Sequence, residues 1–204
     1  MPVNEIPNPK APKMEVCKFN CDTSLGDHIP PPLPQGHFFM VVTGSAGSGK
    51  STWVNALLCQ KNPRLYRKVF HKVYLAMPPN SLHSLSGGPF KKHPKSRLIT
   101  ELTPETLMMV KEDAEESAIE DDHNTLLYID DFAAYLKDPG VERVLREMIF
   151  NRRHMHLSII INVQSYNQLA LSSGLLKRSK IEEFQRQAAL VGNFNKRSHK
   201  RSCV

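Results

Sequence analysis

The sequence predicts an α/β fold in which a mostly parallel sheet is flanked by helices. Short apolar segments rich in β-branched and aromatic residues alternate with segments of helical character, an order that favours parallel pairing. A glycine-rich loop follows the first apolar segment and leads into a helix, an arrangement that suits phosphate binding. With 204 residues, of which 40% are hydrophobic, the chain is long enough to bury one core and suits one domain with tails.

The chain begins with a proline-rich stretch. Residues 1–36 hold more than half of the 15 prolines, including those of the run at residues 30–34. Proline lacks a backbone donor and favours extended polyproline geometry, so it disfavours a packed element. We therefore predict an arm or linker over residues 1–36.

Apolar runs with strand-like composition are predicted as strands at residues 37–43, 67–77, 96–100, 125–129 and 157–163. The first, fourth and fifth have the near-continuous apolar pattern of parallel strands that are buried on both faces. The second is closed by Pro78 and Pro79, and a loop with two glycines and a proline follows it at residues 87–89.

The segments predicted to be helical are residues 50–60, 103–117, 141–151 and 181–191. The second has the clearest start signals, because Thr103 suits the N-cap, Pro104 the first helical position and Glu105 the acidic first turn. The acidic stretch at residues 112–122 is most simply a solvated helix end and loop. The last helix is the most weakly amphipathic.

Residues 44–51 (GSAGSGKS) fit a nucleotide-phosphate cradle at every required position. The glycines let successive backbone N–H groups turn toward one point, and the following helix directs its positive end there. Lys50 is expected to reach the β and γ phosphates of ATP, and the Ser51 hydroxyl to ligate Mg²⁺. The alternative is a glycine-rich turn without a ligand. The predicted nucleotide-binding residues are Gly44, Ser45, Ala46, Gly47, Ser48, Gly49, Lys50, Ser51 and Thr52.

Two acids follow the predicted strand at residues 125–129. At the carboxyl edge of a parallel sheet, Asp130 would lie beside the phosphate loop, where a carboxylate can hold hydrated Mg²⁺. Asp131 is then placed to orient or deprotonate water for hydrolysis. The alternative for Asp131 is an acid in a solvent-facing turn.

Gln164 and Arg153 flank the strand predicted at residues 157–163. Gln164 would face the same edge as the phosphate loop, where its amide could contact the γ-phosphate or the attacking water, although a surface amide is the simpler alternative. Arg153 lies at the opposite end of that strand. It would serve either as an arginine finger toward a neighbouring subunit's nucleotide or as a DNA or surface contact.

The net charge of +7 and the pI near 9.3 suggest attraction to a polyanion, although a generic basic protein fits them equally. Cys17 and Cys21, followed by His28 and His37, form a loose zinc-like arrangement that is common by chance. No apolar run approaches the roughly 18 residues that cross a bilayer, and the N-terminus lacks a secretory signal pattern. We therefore expect an intracellular protein with reduced cysteines.

The order of these motifs resembles the genome-packaging ATPases of large DNA viruses and virophages, the poxvirus-type branch of the FtsK-HerA superfamily. The resemblance covers roughly residues 23–170, on motifs that are much more specific together than singly. It rests on a proline-rich lead-in at residues 33–34, the phosphate loop FFMVVTGSAGSGKST, LTPETL at residues 102–107, LLYIDD at residues 126–131, and NRRHMHLSI at residues 151–159 leading to Val163-Gln164-Ser165.

The resemblance implies a RecA-like P-loop ATPase over residues 37–176. Such proteins form rings, pentamers or hexamers, that hydrolyse ATP to drive double-stranded DNA into a viral capsid. It implies that Lys50 and Ser51 bind nucleotide and Mg²⁺, that Asp130 and Asp131 are the Walker B pair, that Gln164 is the sensor and that Arg153 is a candidate finger. It also implies a location in the host cytoplasm at virus assembly sites, with association with the virion or with capsid and portal components.

The stretch after the strand at residues 157–163, which leads to the implied sensor Gln164, departs from this pattern. Only about forty residues follow it, and residues 177–204 form a tail dense in lysine and arginine, so we expect a sheet that is shortened at the C-terminus. The tail is either a DNA-contacting extension or a disordered end. Two other functions fit the phosphate loop: a kinase of a small substrate, and a nucleotide-dependent DNA-binding scaffold that hydrolyses little ATP.

Overall fold

The computed structural model describes residues 24–84, 90 and 93–164. The strands are β1 (Phe39–Thr43), β2 (Lys72–Ala76), β3 (Leu98–Ile99), β4 (Thr125–Ile129) and β5 (Leu157–Val163). The α-helices are α1 (Lys50–Cys59), α2 (Pro79–Ser84), α3 (Pro104–Asp121) and α4 (Pro139–Asn151). Single 3₁₀ turns occupy Lys95–Arg97 and Tyr135–Lys137.

All strand pairs are parallel, and the strand order is β1-β5-β4-β2-β3. The carboxyl ends of the strands therefore meet at one edge of the sheet, which is where α/β folds build their sites. β5 lies between β1, which leads into the phosphate loop, and β4, which ends before the two acids. The predicted α/β fold with a parallel sheet and flanking helices is confirmed.

The two faces of the sheet bury two separate apolar clusters. One contains Val54 and Leu57 of α1 together with Met40, Leu126 and Ile160 of the strands. The other joins α3 and α4 to the opposite face of the sheet. Because both faces are covered, every residue of β4 and β5 is buried, as their continuous apolar sequences predict.

The longer helices begin at well-formed caps. The Thr103 hydroxyl accepts a hydrogen bond from the Thr106 N–H at 3.3 Å, and the Asp138 carboxylate accepts from Gly140 N–H and Val141 N–H, each at 2.9 Å. In both cases proline occupies the first helical turn. The caps use backbone donors that the helices leave unpaired.

Several element bounds differ from the sequence-based prediction, and β3 is reduced to Leu98–Ile99. β2 begins at Lys72 rather than at residue 67, because Lys68 has a left-handed φ of 60° within a turn. Pro78 and Pro79 do not simply end the strand, since Pro79 opens α2, a position where proline is tolerated. α3 extends to Asp121, and α4 begins at Pro139. The helix predicted at residues 181–191 lies outside the described residues.

The described part of the proline-rich stretch packs against the domain. Leu25 and Ile29 are 6% and 0% exposed and belong to the cluster around α1. The Tyr66 hydroxyl donates to the Pro34 carbonyl at 2.8 Å, and the Gln35 amide donates to the Ile29 carbonyl at 2.8 Å. The boundary at residue 36 stays a prediction, but residues 24–36 share the apolar core of the domain.

Candidate active site

The phosphate loop has a backbone that requires glycine. Gly47 and Gly49 adopt φ values of 73° and 87°, which residues with a Cβ rarely adopt. At Gly44 a Cβ would lie 2.6 Å from the Ser48 Oγ. No heavy atom would come within 4 Å of a Cβ at Gly47 or Gly49, so it is the backbone conformation, and not lack of space, that requires glycine at these two positions.

Lys50 is the first residue of α1, and its side chain folds back over this loop. Its Nζ donates to the Gly44 carbonyl at 2.7 Å and to the Ser45 carbonyl at 3.0 Å. The ammonium is therefore held at the phosphate loop by the loop's own carbonyl oxygens. These are neutral acceptors, which a phosphate oxygen can replace with a stronger, charge-assisted hydrogen bond.

Ser51 and Asp130 meet beside the loop. The Ser51 hydroxyl donates to Asp130 Oδ2 at 2.6 Å, although the residues are 79 positions apart in the chain. Asp130 follows β4 and is only 4% exposed. The Tyr128 hydroxyl also donates to Asp130 Oδ2, at 2.7 Å. Burial and the neighbouring Asp130 carboxylate raise the pKa of Tyr128 well above its usual range, so Tyr128 stays a neutral donor.

Asp131 is exposed and has a left-handed φ of 58°. Its Oδ2 accepts a hydrogen bond from the Ser81 hydroxyl of α2 at 2.7 Å. A non-glycine residue with such a φ is uncommon, and backbone conformations of this kind cluster at functional sites. The turn directs successive acids differently, with Asp130 toward Ser51 and Asp131 toward α2.

A cavity of about 250 Å³ opens at this edge of the sheet. Its polar lining is formed by Lys50, Asp131, Asn162 and Gln164, and Ala133, Ala134 and Val163 line the rest. The structure thus brings Lys50, Asp131 and Gln164 to one space, as the order of the strands requires. The space is below the usual size of a pocket for a whole small molecule, and it suits the reacting end of a nucleotide.

Comparison with known proteins identifies the family. Residues 31–175 match the family described as poxvirus A32 protein. The chain belongs to this family. The predicted resemblance to poxvirus-type genome-packaging ATPases is thereby confirmed at the level of the family. No curated protein matches the sequence of this A32-family chain.

Two solved structures to which the chain is similar share little sequence with it. One is of Thermomonospora curvata EccC (ATPases 2 and 3) in complex with a signal sequence peptide, at 15% identity and a TM-score of 0.40 over 63% of this chain and 25% of that chain. The other is of C. elegans PCH-2, at 16% identity and a TM-score of 0.38 over 71% of this chain and 33% of that chain. The A32-family chain therefore spans a third or less of either protein's length.

Arg153 lies apart from the cavity. It is exposed, in the turn between α4 and β5 at the amino end of the strands, whereas the phosphate loop lies at the carboxyl end. The side chain of the neighbouring Arg152 is held by a hydrogen bond, which its Nε donates to the His37 carbonyl at 3.2 Å. Within one copy of the A32-family chain, Arg153 is thus at the opposite end of the sheet from Lys50, as the sequence predicts.

Three residues of the site were not among those predicted from the sequence: Ser81, Tyr128 and Asn162. The Asn162 amide donates to the Tyr128 hydroxyl at 2.7 Å. A signal for two of them exists in the sequence, because Tyr128 and Asn162 are polar residues near the carboxyl ends of mainly apolar strands. Ser81 has no such signal, because α2 itself was not predicted.

The residues present suit a nucleotide and a magnesium ion. A loop in which Gly47 and Gly49 adopt left-handed φ values ahead of a helix is a fitting cradle for phosphate. The hydroxyl of Ser51 and the carboxylate of Asp130 are hard oxygen donors, the type that Mg²⁺ prefers. Nucleotide binding, typically with Mg²⁺, is also what membership of an ATPase family implies.

The loose zinc-like set is not assembled by the described residues. His28 Nε2 lies 3.0 Å from the Leu65 carbonyl and His37 Nε2 lies 2.9 Å from Asn124 Oδ1, while Cys17 and Cys21 are outside the described residues. Across residues 24–84, 90 and 93–164, no group of three or more His, Cys, Asp or Glu side chains is arranged to hold a metal. Within the same ranges, no helix has the length and apolar character of a membrane span.

Proposed function

We propose that the chain hydrolyses ATP with Mg²⁺ and uses the energy to move double-stranded DNA into a viral capsid. The observation that carries this proposal is the convergence at one sheet edge of Lys50, Asp131 and Gln164 around a single cavity, beside the Ser51–Asp130 contact. Membership of the A32 family supports the same function.

The backbone N–H groups of residues 44–52 would bind the phosphates, assisted by the positive end of α1. Lys50 would exchange the carbonyls of Gly44 and Ser45 for the β and γ phosphate oxygens. Ser51 and Asp130 would hold the metal, directly or through its water ligands. Bound Mg²⁺ neutralises charge on the phosphates during transfer.

Asp131 would accept a proton from the attacking water, and Gln164 would orient that water or contact the γ-phosphate. The exposure of Asp131 and its place on the cavity wall support this role, since a base must reach its proton within hydrogen-bonding distance. The hydrogen bond from Ser81 would position the carboxylate for this proton transfer. Two acids and an amide suit water activation better than transfer to an acceptor molecule.

Arg153 would act on a neighbouring subunit. Because it lies at the amino end of the strands, it could reach a nucleotide only across an interface, which requires a ring of copies such as a pentamer or hexamer. This makes hydrolysis dependent on self-association. DNA would be bound through its phosphates, with the net charge of +7 and the basic residues 177–204 as the electrostatic basis.

Residues 37–176 would form the ATPase domain, with residues 24–36 packed against its core, the residues before them as an arm, and residues 177–204 as a tail. The motor would contact capsid or portal components in the host cytoplasm at virus assembly sites, and could remain associated with the virion.

The testing experiment is Mg²⁺-dependent ATP hydrolysis with and without double-stranded DNA, at protein concentrations high enough for self-association. Lys50→Ala and Asp131→Asn should each abolish DNA-stimulated turnover. Lys61→Ala, at an exposed lysine just beyond α1, is the matched control for Lys50. Binding of ATP and DNA without turnover would instead indicate a scaffold. Phosphate transfer to a nucleoside or nucleotide would indicate a kinase.

A further inference from the structure

A series of hydrogen-bonded, buried polar side chains leads to the proposed magnesium site. The Asn162 amide donates to the Tyr128 hydroxyl at 2.7 Å, and that hydroxyl donates to Asp130 Oδ2 at 2.7 Å. These three residues are 2%, 0% and 4% exposed, respectively. These hydrogen bonds thus link the carboxyl end of β5 to the acid that follows β4, and Ser51 extends the series to α1.

The strand register brings these groups together. Ile129 of β4 pairs with Ile161 of β5, so Asp130 and Asn162 each come one residue after a paired position and lie level with one another. Tyr128 and Ile160 pair one step earlier, where both belong to the apolar cluster around α1. The tyrosine ring therefore lies in the core while its hydroxyl reaches the two polar groups.

The direction of each hydrogen bond follows from chemistry. A tyrosine hydroxyl has one proton, and Tyr128 gives it to the Asp130 carboxylate, so its oxygen must accept from Asn162. This requirement orients the Asn162 amide with its NH₂ toward Tyr128. The Asn162 Oδ1 is buried and has no hydrogen-bond partner within the described part of the chain.

Stability alone does not explain why polar side chains occupy these buried positions. Burying a hydroxyl and an amide in apolar strands is unfavourable unless every group is paired, and Oδ1 is not. Phenylalanine and leucine would fill the same space without polar groups to satisfy. A role at the site explains why polar side chains occupy these two positions.

We propose that Tyr128 and Asn162 are positioning residues for the magnesium site, an inference that rests on the proposed function. Tyr128 and Ser51 both donate to Oδ2 of Asp130, which fixes the carboxylate plane and leaves the lone pairs of Oδ1 for the metal or its water ligands. Asn162 holds the Tyr128 hydroxyl in place. Because Gln164 follows directly after β5, two residues beyond Asn162, the same contacts link the strand that leads to the proposed sensor with the metal-holding acid.

The test compares nucleotide affinity with and without the metal. The dissociation constant of a fluorescent ADP analogue is measured in Mg²⁺ and in EDTA for the wild type, Tyr128→Phe and Asn162→Leu. Removal of groups that orient a metal ligand typically weakens metal affinity about tenfold or more. In Mg²⁺, the dissociation constant of Tyr128→Phe should therefore be about tenfold higher than that of the wild type, and that of Asn162→Leu should rise by a smaller factor. In EDTA, the dissociation constants of both variants should equal the wild-type value.

Tyr74→Phe is the matched control. Tyr74 lies on the neighbouring strand β2, and its hydroxyl likewise donates to a carboxylate, Asp113 Oδ2, at 2.7 Å. That pair is remote from the phosphate loop, so its removal should leave both dissociation constants unchanged. Thermal unfolding adds an independent readout, since Asn162→Leu removes an unpaired buried acceptor and should keep or raise Tm while it weakens the effect of Mg²⁺.

The outcomes separate this inference from the proposed function. Wild-type values for Tyr128→Phe and Asn162→Leu in Mg²⁺ would overturn the positioning role and leave the ATPase proposal intact. An equal loss in Tyr74→Phe would also overturn it, since the effect would then be a general one. A wild type that gains no affinity from Mg²⁺ would instead overturn the proposed metal site itself, and the inference with it.

Discussion

The Ser81 hydroxyl donates a hydrogen bond to Asp131 Oδ2 at 2.7 Å and so links α2, the helix after β2, to the proposed catalytic acid after β4. Asp131 is exposed and held in a left-handed backbone conformation. An exposed carboxylate has several rotamers available, and the Ser81 contact selects one of them.

Ser81→Ala should lower kcat for ATP hydrolysis while KM for ATP stays near the wild-type value. A hydrogen bond of about 1 kcal/mol corresponds to roughly a fivefold effect on rate. Steady-state kinetics would measure it, with Ser96→Ala, at an exposed serine before β3, as the control. A kcat above that of the wild type would show that Ser81 restrains Asp131 instead of positioning it for reaction.

Gly47→Ala should weaken ATP binding, whereas Gly36→Ala should leave it unchanged. A Cβ at either position would have no heavy atom within 4 Å, so neither substitution creates a clash. Only Gly47 has a left-handed φ, 73°, which costs about 1–2 kcal/mol for other residues. Isothermal titration with a non-hydrolysable ATP analogue would measure the difference. Equal affinity in the two variants would mean that the loop adopts another backbone when it binds phosphate.

The stability of the protein should fall as the pH drops from about 7.5 to 5.5. Burial lowers the pKa of His37, and the nearby His156 and Arg152 add to this effect, although the hydrogen bond to Asn124 and the charge of Asp122 oppose it. The folded state therefore favours neutral His37, and its contribution to stability is present above the ordinary value of 6.5. It is lost below that value as the unfolded chain takes up the proton.

Thermal unfolding across this pH range would check the effect of His37. His37→Gln can retain an amide hydrogen bond to Asn124 without titrating, so the slope of Tm against pH should be shallower than in the wild type. His154→Gln, at an exposed histidine, is the control and should keep the wild-type slope. An unchanged slope in His37→Gln would assign the pH dependence to other groups.

Asp138→Ala should destabilise the protein by about 1 kcal/mol, the usual cost of losing an N-cap. Its carboxylate accepts the Gly140 and Val141 N–H groups at 2.9 Å, and these donors would otherwise turn to water. For a chain of this size the expected decrease in Tm is roughly 2–4 °C. Asp27→Ala, which removes the same charge at another exposed position, should change Tm by less than half as much.

Several elements could be predicted closely from local sequence. β4 and β5 have the predicted bounds, because strands buried on both faces must be apolar along their whole length. α3 was predicted from Thr103 and Pro104, since a cap and a first-turn proline are local signals. Among the elements that differed, β2 follows a turn at residues 67–69 whose conformation depends on tertiary contacts, and α2 was not predicted.

The sequence by itself determined the parallel α/β class, the phosphate loop and the identity of Lys50, Ser51, Asp130, Asp131 and Gln164 as candidates, because these depend on residue type and on short spacings. Only the tertiary structure decided that Ser81 meets Asp131 and that Asn162 reaches Asp130 through Tyr128. These contacts join positions up to 50 residues apart. They depend on which strands are neighbours, and local hydrophobic periodicity carries no information about strand order.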